Sequence, residues 1–150
     1  MRKLLLYYMQ NVLLTLIVLE LTQYTLFNAF TYFTGFVLLN GVFLKFFEYE
    51  RFVQNQVRYN IIAKKWKYYA RFQLIAYLLA GLLLLTQQYV IYVVLAAFPF
   101  IVVNLHSAAR EFKDVKTQTG LLDIEYLKQS AIENLVYKIG VFAIIVILVV

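Results

Sequence analysis

The chain has 150 residues, of which 63% are hydrophobic, 18% are aromatic and only 15% are charged. A soluble domain of this length could not bury so much apolar surface without burying its few charges as well, so the composition predicts a single membrane-embedded domain. The net charge of +6 is compatible with nucleic-acid binding. The chain has no cysteine, which excludes disulfides, thiolate metal sites and cysteine nucleophiles.

The first apolar block runs from Leu4 to Phe47, about twice the roughly 20 residues that one helix needs to cross a bilayer. Its basic start resembles a signal peptide, but the apolar run is too long and no A-x-A-like cleavage site follows, so we expect a retained span. The polar residues 22–25, together with Asn28, divide the block. This division predicts two apolar helices, at about 4–21 and 29–47.

A basic segment, 45–71, follows with seven Lys or Arg residues and two Glu. Its apolar residues recur at helical spacing, which predicts an amphipathic helix or a continuation of the second span. Aromatic residues lie among the lysines, as expected at the level of the lipid headgroups. The predicted lipid-headgroup residues are Arg58, Lys64, Lys65, Trp66, Lys67 and Arg71. We prefer lipid to nucleic acid as their partner because apolar spans flank the segment.

The second apolar block, 72–105, is interrupted only by residues 86–88. It predicts a tight pair of helices at about 72–86 and 89–105, each short for a full crossing. Pro99 removes a backbone donor from the second helix and is expected to bend it.

A polar amphipathic segment, 107–138, leads into a final apolar helix at about 135–150. This last helix would be only about 24 Å long, so the sequence leaves open whether it crosses the membrane.

Charge supports this division of the chain. If the N-terminus lies inside, all fourteen Lys and Arg residues fall on the inside face, as the positive-inside rule predicts. We therefore expect an all-α integral membrane protein with four to five apolar helices. They would form two helical hairpins plus a short C-terminal apolar helix, with amphipathic interfacial helices between.

Small and polar residues within the spans are candidates for helix–helix packing, because small residues let helices approach and a buried Asn can bond to a neighbouring helix. They are Asn40, Gly41, Ala76, Ala80 and Gly81. Packing within the chain is the preferred interpretation, and packing against a partner subunit is the alternative.

Glu20 is the only acidic residue within an apolar span, and an intramembrane charge suggests an ion or proton pathway. Its position one residue from the predicted helix end also fits a side chain that reaches interfacial water. His106 is the only histidine and is expected to be an interfacial polar residue. No catalytic, metal or cofactor-binding residue is predicted.

The leading functional hypothesis is a non-catalytic accessory subunit of a membrane complex, such as a mitochondrial respiratory-chain or ATP synthase assembly. Its partners would be membrane lipids and other integral membrane subunits, and not nucleic acid. The alternative is a hairpin protein that shapes or organises the ER or nuclear envelope, because short hairpins and one-sided interfacial helices would wedge one leaflet. A small transporter ranks last. We expect an organelle membrane, with the mitochondrial inner membrane ahead of the ER.

Phe98-Pro99 and Leu105-His106 lie near the end of the second predicted hairpin, before the polar segment and the last apolar run. This arrangement resembles the small ER and nuclear-pore transmembrane family that includes the Krüppel-homologue proteins. The resemblance covers about a third of the chain, and it implies the ER or nuclear-envelope alternative.

Overall fold

The computed structural model describes residues 2–22, 25–66, 68–117 and 124–149, and the side chains of 4–22, 25–66, 68–115 and 131–148. All regular structure within these ranges is α-helical. The helices are α1 (Arg2–Leu21), α2 (Leu26–Phe47), α3 (Tyr49–Tyr59), α4 (Ile61–Lys65), α5 (Tyr69–Leu85), α6 (Val90–Thr117) and α7 (Ile124–Val149). The predicted all-α fold is confirmed.

Four segments are long and apolar enough to cross a membrane, which fits an integral membrane protein. They are Leu4–Leu21, Leu26–Phe47, Val90–Val115 and Ala131–Leu148. The fifth apolar helix, α5, has 17 residues and a length of about 25 Å.

Several helix ends differ from the predicted ones. α2 begins three residues early because the side chain of Thr25 caps it, accepting a hydrogen bond from the Asn28 amide at 3.1 Å. α6 continues to Thr117 instead of ending at 105, and α7 begins at Ile124 instead of 135. Helical hydrogen bonds are local and need no apolar side chains, so a helix continues where hydrophobicity stops. Residues 118–123 of the predicted polar segment, and Val150, lie outside the described residues.

α2 lies at the centre of the bundle and packs against α1, α5 and α7, while α6 packs against α5 and α7. α1 and α2 run in opposite directions: Tyr7, near the start of α1, lies beside Gly41, near the end of α2. We call the end of the bundle where α1 begins, α2 ends and α5 begins the polar end. α3 and α4 connect α2 to α5 there.

The crossing of α2 and α5 depends on two glycines. A Cβ atom on Gly35 would lie 3.1 Å from the carbonyl oxygen of Gly81, and a Cβ on Gly81 would lie 3.1 Å from that of Gly35. Ala80 is buried on the same helix, whereas Ala76 is half-buried. Small residues thus let two helix backbones approach each other closely.

Candidate functional site: a polar cavity in the bundle

A cavity of about 380 Å³ lies at the polar end. Its walls come from α1, α2, α3, α6 and α7, so residues distant in sequence meet there. Polar and charged side chains on its wall include Lys45, Gln56, Glu111, Asn134, Tyr137 and Lys138. We call it the polar cavity.

A chain of amide side chains fixes one side of the polar cavity. Asn104 of α6 donates to the hydroxyl of Tyr77 in α5 and accepts a 3.4 Å bond from the Gln56 amide nitrogen in α3. Gln56 in turn accepts from Asn60 Nδ2 at 2.8 Å. The other end of the Asn60 amide caps α4, since Oδ1 accepts from the backbone amides of residues 62 and 63. Buried polar groups stabilise a structure when they are hydrogen-bonded, so this amide chain holds α3 and α4 to the bundle.

Tyrosines from α1 and α7 meet α2 at Gly41. The rings of Tyr7 and Tyr137 are edge-on, with centroids 5.6 Å apart. Both hydroxyls donate to the carbonyl oxygen of Val37, the Tyr137 bond being 3.4 Å long. A Cβ on Gly41 would collide with the Tyr137 hydroxyl, so this packing favours glycine.

Asn40, next to Gly41, points to α1. Its Nδ2 donates to Oδ1 of Asn11 at 2.7 Å, and Asn11 is fully buried. Asn11 Nδ2 then donates to the Tyr7 carbonyl at 2.8 Å. Of the predicted packing residues, Asn40 and Gly41 therefore lie within the chain's own helix interfaces.

Two lysines come from different helices to the wall of the polar cavity. The ammonium of Lys45 lies 5.5 Å from the ring centre of Phe52 and 5.2 Å from that of Tyr77, within cation–π range. Lys138 of α7 is only 8% exposed. The carboxylate of Glu111 accepts a 2.6 Å hydrogen bond from Asn134 Nδ2. The sequence places Lys45 in the basic segment 45–71 and Lys138 at the end of the polar segment 107–138. It predicts neither as a site residue, because each stands at the edge of an apolar run where a surface position is expected.

α3 is also fastened to α6 through Asp114, and Tyr59 of this contact lies on the cavity wall. Arg58 Nη2 and the Tyr59 hydroxyl both donate to Oδ2 of Asp114, at 3.0 Å and 2.9 Å. Loss of solvation, followed by the hydrogen bond to Asp114, raises the pKa of Tyr59 to about 12.

The predicted headgroup residues lie on α3, on α4 and at the start of α5. Arg58, Lys64, Lys65 and Trp66 are exposed, and Arg71 Nε donates to the Tyr49 hydroxyl at 2.9 Å. Lys67 lies outside the described residues. None of the described members of this set is part of the polar-cavity wall.

Glu20 is exposed in the last turn of α1, at the end of the bundle opposite the polar cavity. His106 is exposed on α6. The structure therefore does not bring these two residues together.

No family model, curated protein or solved structure matches this chain.

Proposed function

We propose that this chain is a non-catalytic accessory subunit of a multi-subunit membrane complex, such as a respiratory-chain or ATP synthase assembly of the mitochondrial inner membrane. The observation that supports this proposal is the rigid attachment of α3 and α4. The side-chain connections that fasten them to the bundle include the amide chain, the Arg58–Asp114 ion pair and the Tyr59–Asp114 hydrogen bond. Arg71 of α5 also donates to the Tyr49 hydroxyl of α3.

α3 and α4 present a mixed surface that we call the α3–α4 face. Val57, Ile61 and Trp66 are 47%, 46% and 42% exposed there, beside the exposed ammonium groups of Lys64 and Lys65. A helix that lies only among lipid headgroups does not need buried contacts that fix its position on the bundle. A surface that recognises another subunit binds more tightly when it is fixed in advance, because preorganisation lowers the entropy lost on binding.

In this proposal the spans form two hairpins, α1 with α2 and α5 with α6, and α3 and α4 lie at the interface. The basic polar end faces the inside, in accordance with the positive-inside rule. The α3–α4 face would then contact another integral membrane subunit at headgroup level.

The test is extraction of the full chain in mild detergent, followed by native gel electrophoresis and mass spectrometry of what accompanies it. We expect it to migrate with a large complex and to be released by the double substitution Lys64→Glu and Lys65→Glu. The matched control is Arg110→Glu with Lys113→Glu, which reverses two exposed charges on α6. A wild-type chain that migrates alone would contradict the proposal.

A second candidate function is shaping or organising the ER or nuclear-envelope membrane. The observation that favours it is the unequal distribution of chain between the two ends. At the end away from the polar end, α1 ends at Leu21 and α2 begins at Leu26, while α5 and α6 are joined by a tight turn in which Gln87 and Tyr89 adopt positive φ. α3 and α4 add volume at the polar end alone, which would expand one leaflet.

The wedge mechanism requires that the hairpins enter without crossing fully. Because the chain has no cysteine, single-cysteine variants provide labels without background. In sealed vesicles, Thr86→Cys should stay unlabelled by an impermeant maleimide from the side opposite Lys64→Cys, and the purified chain should tubulate liposomes. Labelling of Thr86→Cys from that opposite side would exclude the wedge.

A further inference from the structure

Lys45 and Lys138 both line the polar cavity, and neither forms an ion pair with a carboxylate among the residues whose side chains the structure describes. Lys138 is more than nine-tenths buried and forms no hydrogen bond or ion pair with any residue that the structure describes. Lys45 contacts aromatic ring faces, which cannot neutralise its charge. The two ammonium groups repel each other, so each makes the other more costly to bury.

The carboxylates on the wall only partly offset these charges. Glu111 attracts Lys138 electrostatically, but one of its oxygens is bound to Asn134. Glu48 pairs with Arg51 at 3.6 Å. Glu133, which also lines the cavity, has interactions of its own. An anion placed between the two amines would therefore relieve a repulsion that these carboxylates leave in place.

We propose that the polar cavity binds the phosphate group of a membrane phospholipid between Lys45 and Lys138. Ammonium groups bind phosphate through charge-assisted hydrogen bonds. The Asn134 amide nitrogen stands on the same wall and has a second N–H besides the one that it donates to Glu111. This inference depends on the chain lying in a membrane and not on its role as an accessory subunit.

The position and size of the cavity favour a lipid over a soluble phosphate compound. Lys45 lies in the last turn of the α2 span, so the cavity is at the level where apolar spans end and headgroups begin. Apolar residues Leu4 and Leu44 belong to its wall, and Leu44 is 57% exposed toward the surroundings of the bundle. The volume of about 380 Å³ is within the range of small-molecule sites.

The experiment is native mass spectrometry of the full chain in mild detergent, titrated with dioleoylphosphatidylglycerol. Dioleoylglycerol is the control ligand, because it has the same acyl chains and no phosphate. Lys138→Met and Lys45→Met each remove one ammonium while keeping a long unbranched side chain. Lys113→Met makes the same change at an exposed residue of α6 outside the cavity, and circular dichroism verifies that each variant is folded.

We expect phosphatidylglycerol to bind and dioleoylglycerol not to bind. Each cavity variant should weaken phosphatidylglycerol binding by about tenfold, which is the effect of losing one charge-assisted contact. Lys113→Met should change the affinity less than about twofold, as an exposed charge does. Equal binding of the two lipids, or wild-type affinity in both cavity variants, would overturn the proposal. If Lys138→Met does not fold, Lys45→Met alone decides.

An arm with inorganic phosphate identifies the source of the ligand. If inorganic phosphate leaves phosphatidylglycerol bound, the lipid is the ligand, as proposed. If it displaces the lipid and binds by itself with the same dependence on Lys138, the phosphate site stands, but a soluble phosphate occupies it and the assignment to a lipid is overturned.

Discussion

The α2–α5 crossing and the polar end show two ways of joining helices in one bundle. At the crossing, Gly35 and Gly81 allow backbone to approach backbone, and the helices fill the space between them. At the polar end, tyrosines, lysines and amides keep the helices apart, connect them by hydrogen bonds and leave a cavity between them. Small residues therefore produce a closed interface, whereas long polar side chains produce one with room for a ligand.

The strongest way to break the closed interface is Gly81→Leu. Its new Cβ would lie 2.8 Å from Leu39 Cγ and 3.1 Å from a backbone oxygen that cannot move away. We expect the free energy of unfolding in detergent micelles to fall by about 3 kcal/mol, the upper part of the usual range for overpacking. Ala143→Leu makes a similar enlargement at an exposed residue of α7 and should leave stability almost unchanged. Equal effects of the two variants would show that α2 and α5 are not closely packed.

At the polar end, the amide chain is the feature to break. Asn104→Leu removes the acceptor of Gln56 and the partner of Tyr77, and a buried polar group without a partner costs about 2 kcal/mol. Gln56→Leu on this background should cost much less than it does alone, because the hydrogen bond is already lost. Chemical denaturation of the four variants of this cycle measures the coupling. Strict additivity would mean that the two side chains do not interact.

Gly41→Ala tests a position where a small residue of α2 meets the tyrosines of the polar end. Alanine favours a helix over glycine by up to about 1 kcal/mol, but here its methyl group collides with the Tyr137 hydroxyl, so we expect a net loss of about 1 kcal/mol. In a Tyr137→Phe background the hydroxyl is gone and the same substitution should become neutral or stabilising. Thermal unfolding followed by circular dichroism detects this reversal. A loss of the same size in both backgrounds would contradict the proposed collision.

The smallest effect concerns the outer fastening of α3. The pKa of Tyr59 is raised to about 12, above the value near 10 of an unfolded tyrosine. Its contribution to folding stability is therefore fully present below about pH 10 and is lost as the pH rises through about 12. Asp114→Asn removes a charged acceptor and should lower the pKa of Tyr59. Tyrosine-selective ¹³C NMR measures it, with Tyr59→Phe to assign the signal. An unchanged pKa would show that Asp114 does not accept a hydrogen bond from the Tyr59 hydroxyl.

The helices were largely predictable, whereas the polar cavity was not. Apolar runs and polar interruptions such as 22–25 report where spans begin and end, because lipid imposes a length on each span. Lys138 stands directly before the last apolar run and gave no sign of burial. Its burial depends on α7 lying beside α2 and α6, which is a relation between segments far apart in the chain.

The sequence alone indicated apolar surroundings and predicted the class of fold, because the composition is strongly hydrophobic and helices satisfy their backbone hydrogen bonds within each segment. It also identified Asn40, Gly41, Ala80 and Gly81 as residues of interest, without their partners. Only the tertiary structure decided that Gly81 meets Gly35, that Asn40 meets Asn11, and that two lysines share one cavity. The reason is physical. Hydrophobicity and helix formation are local properties of a sequence, whereas helix pairing depends on how side chains from separate helices fit together.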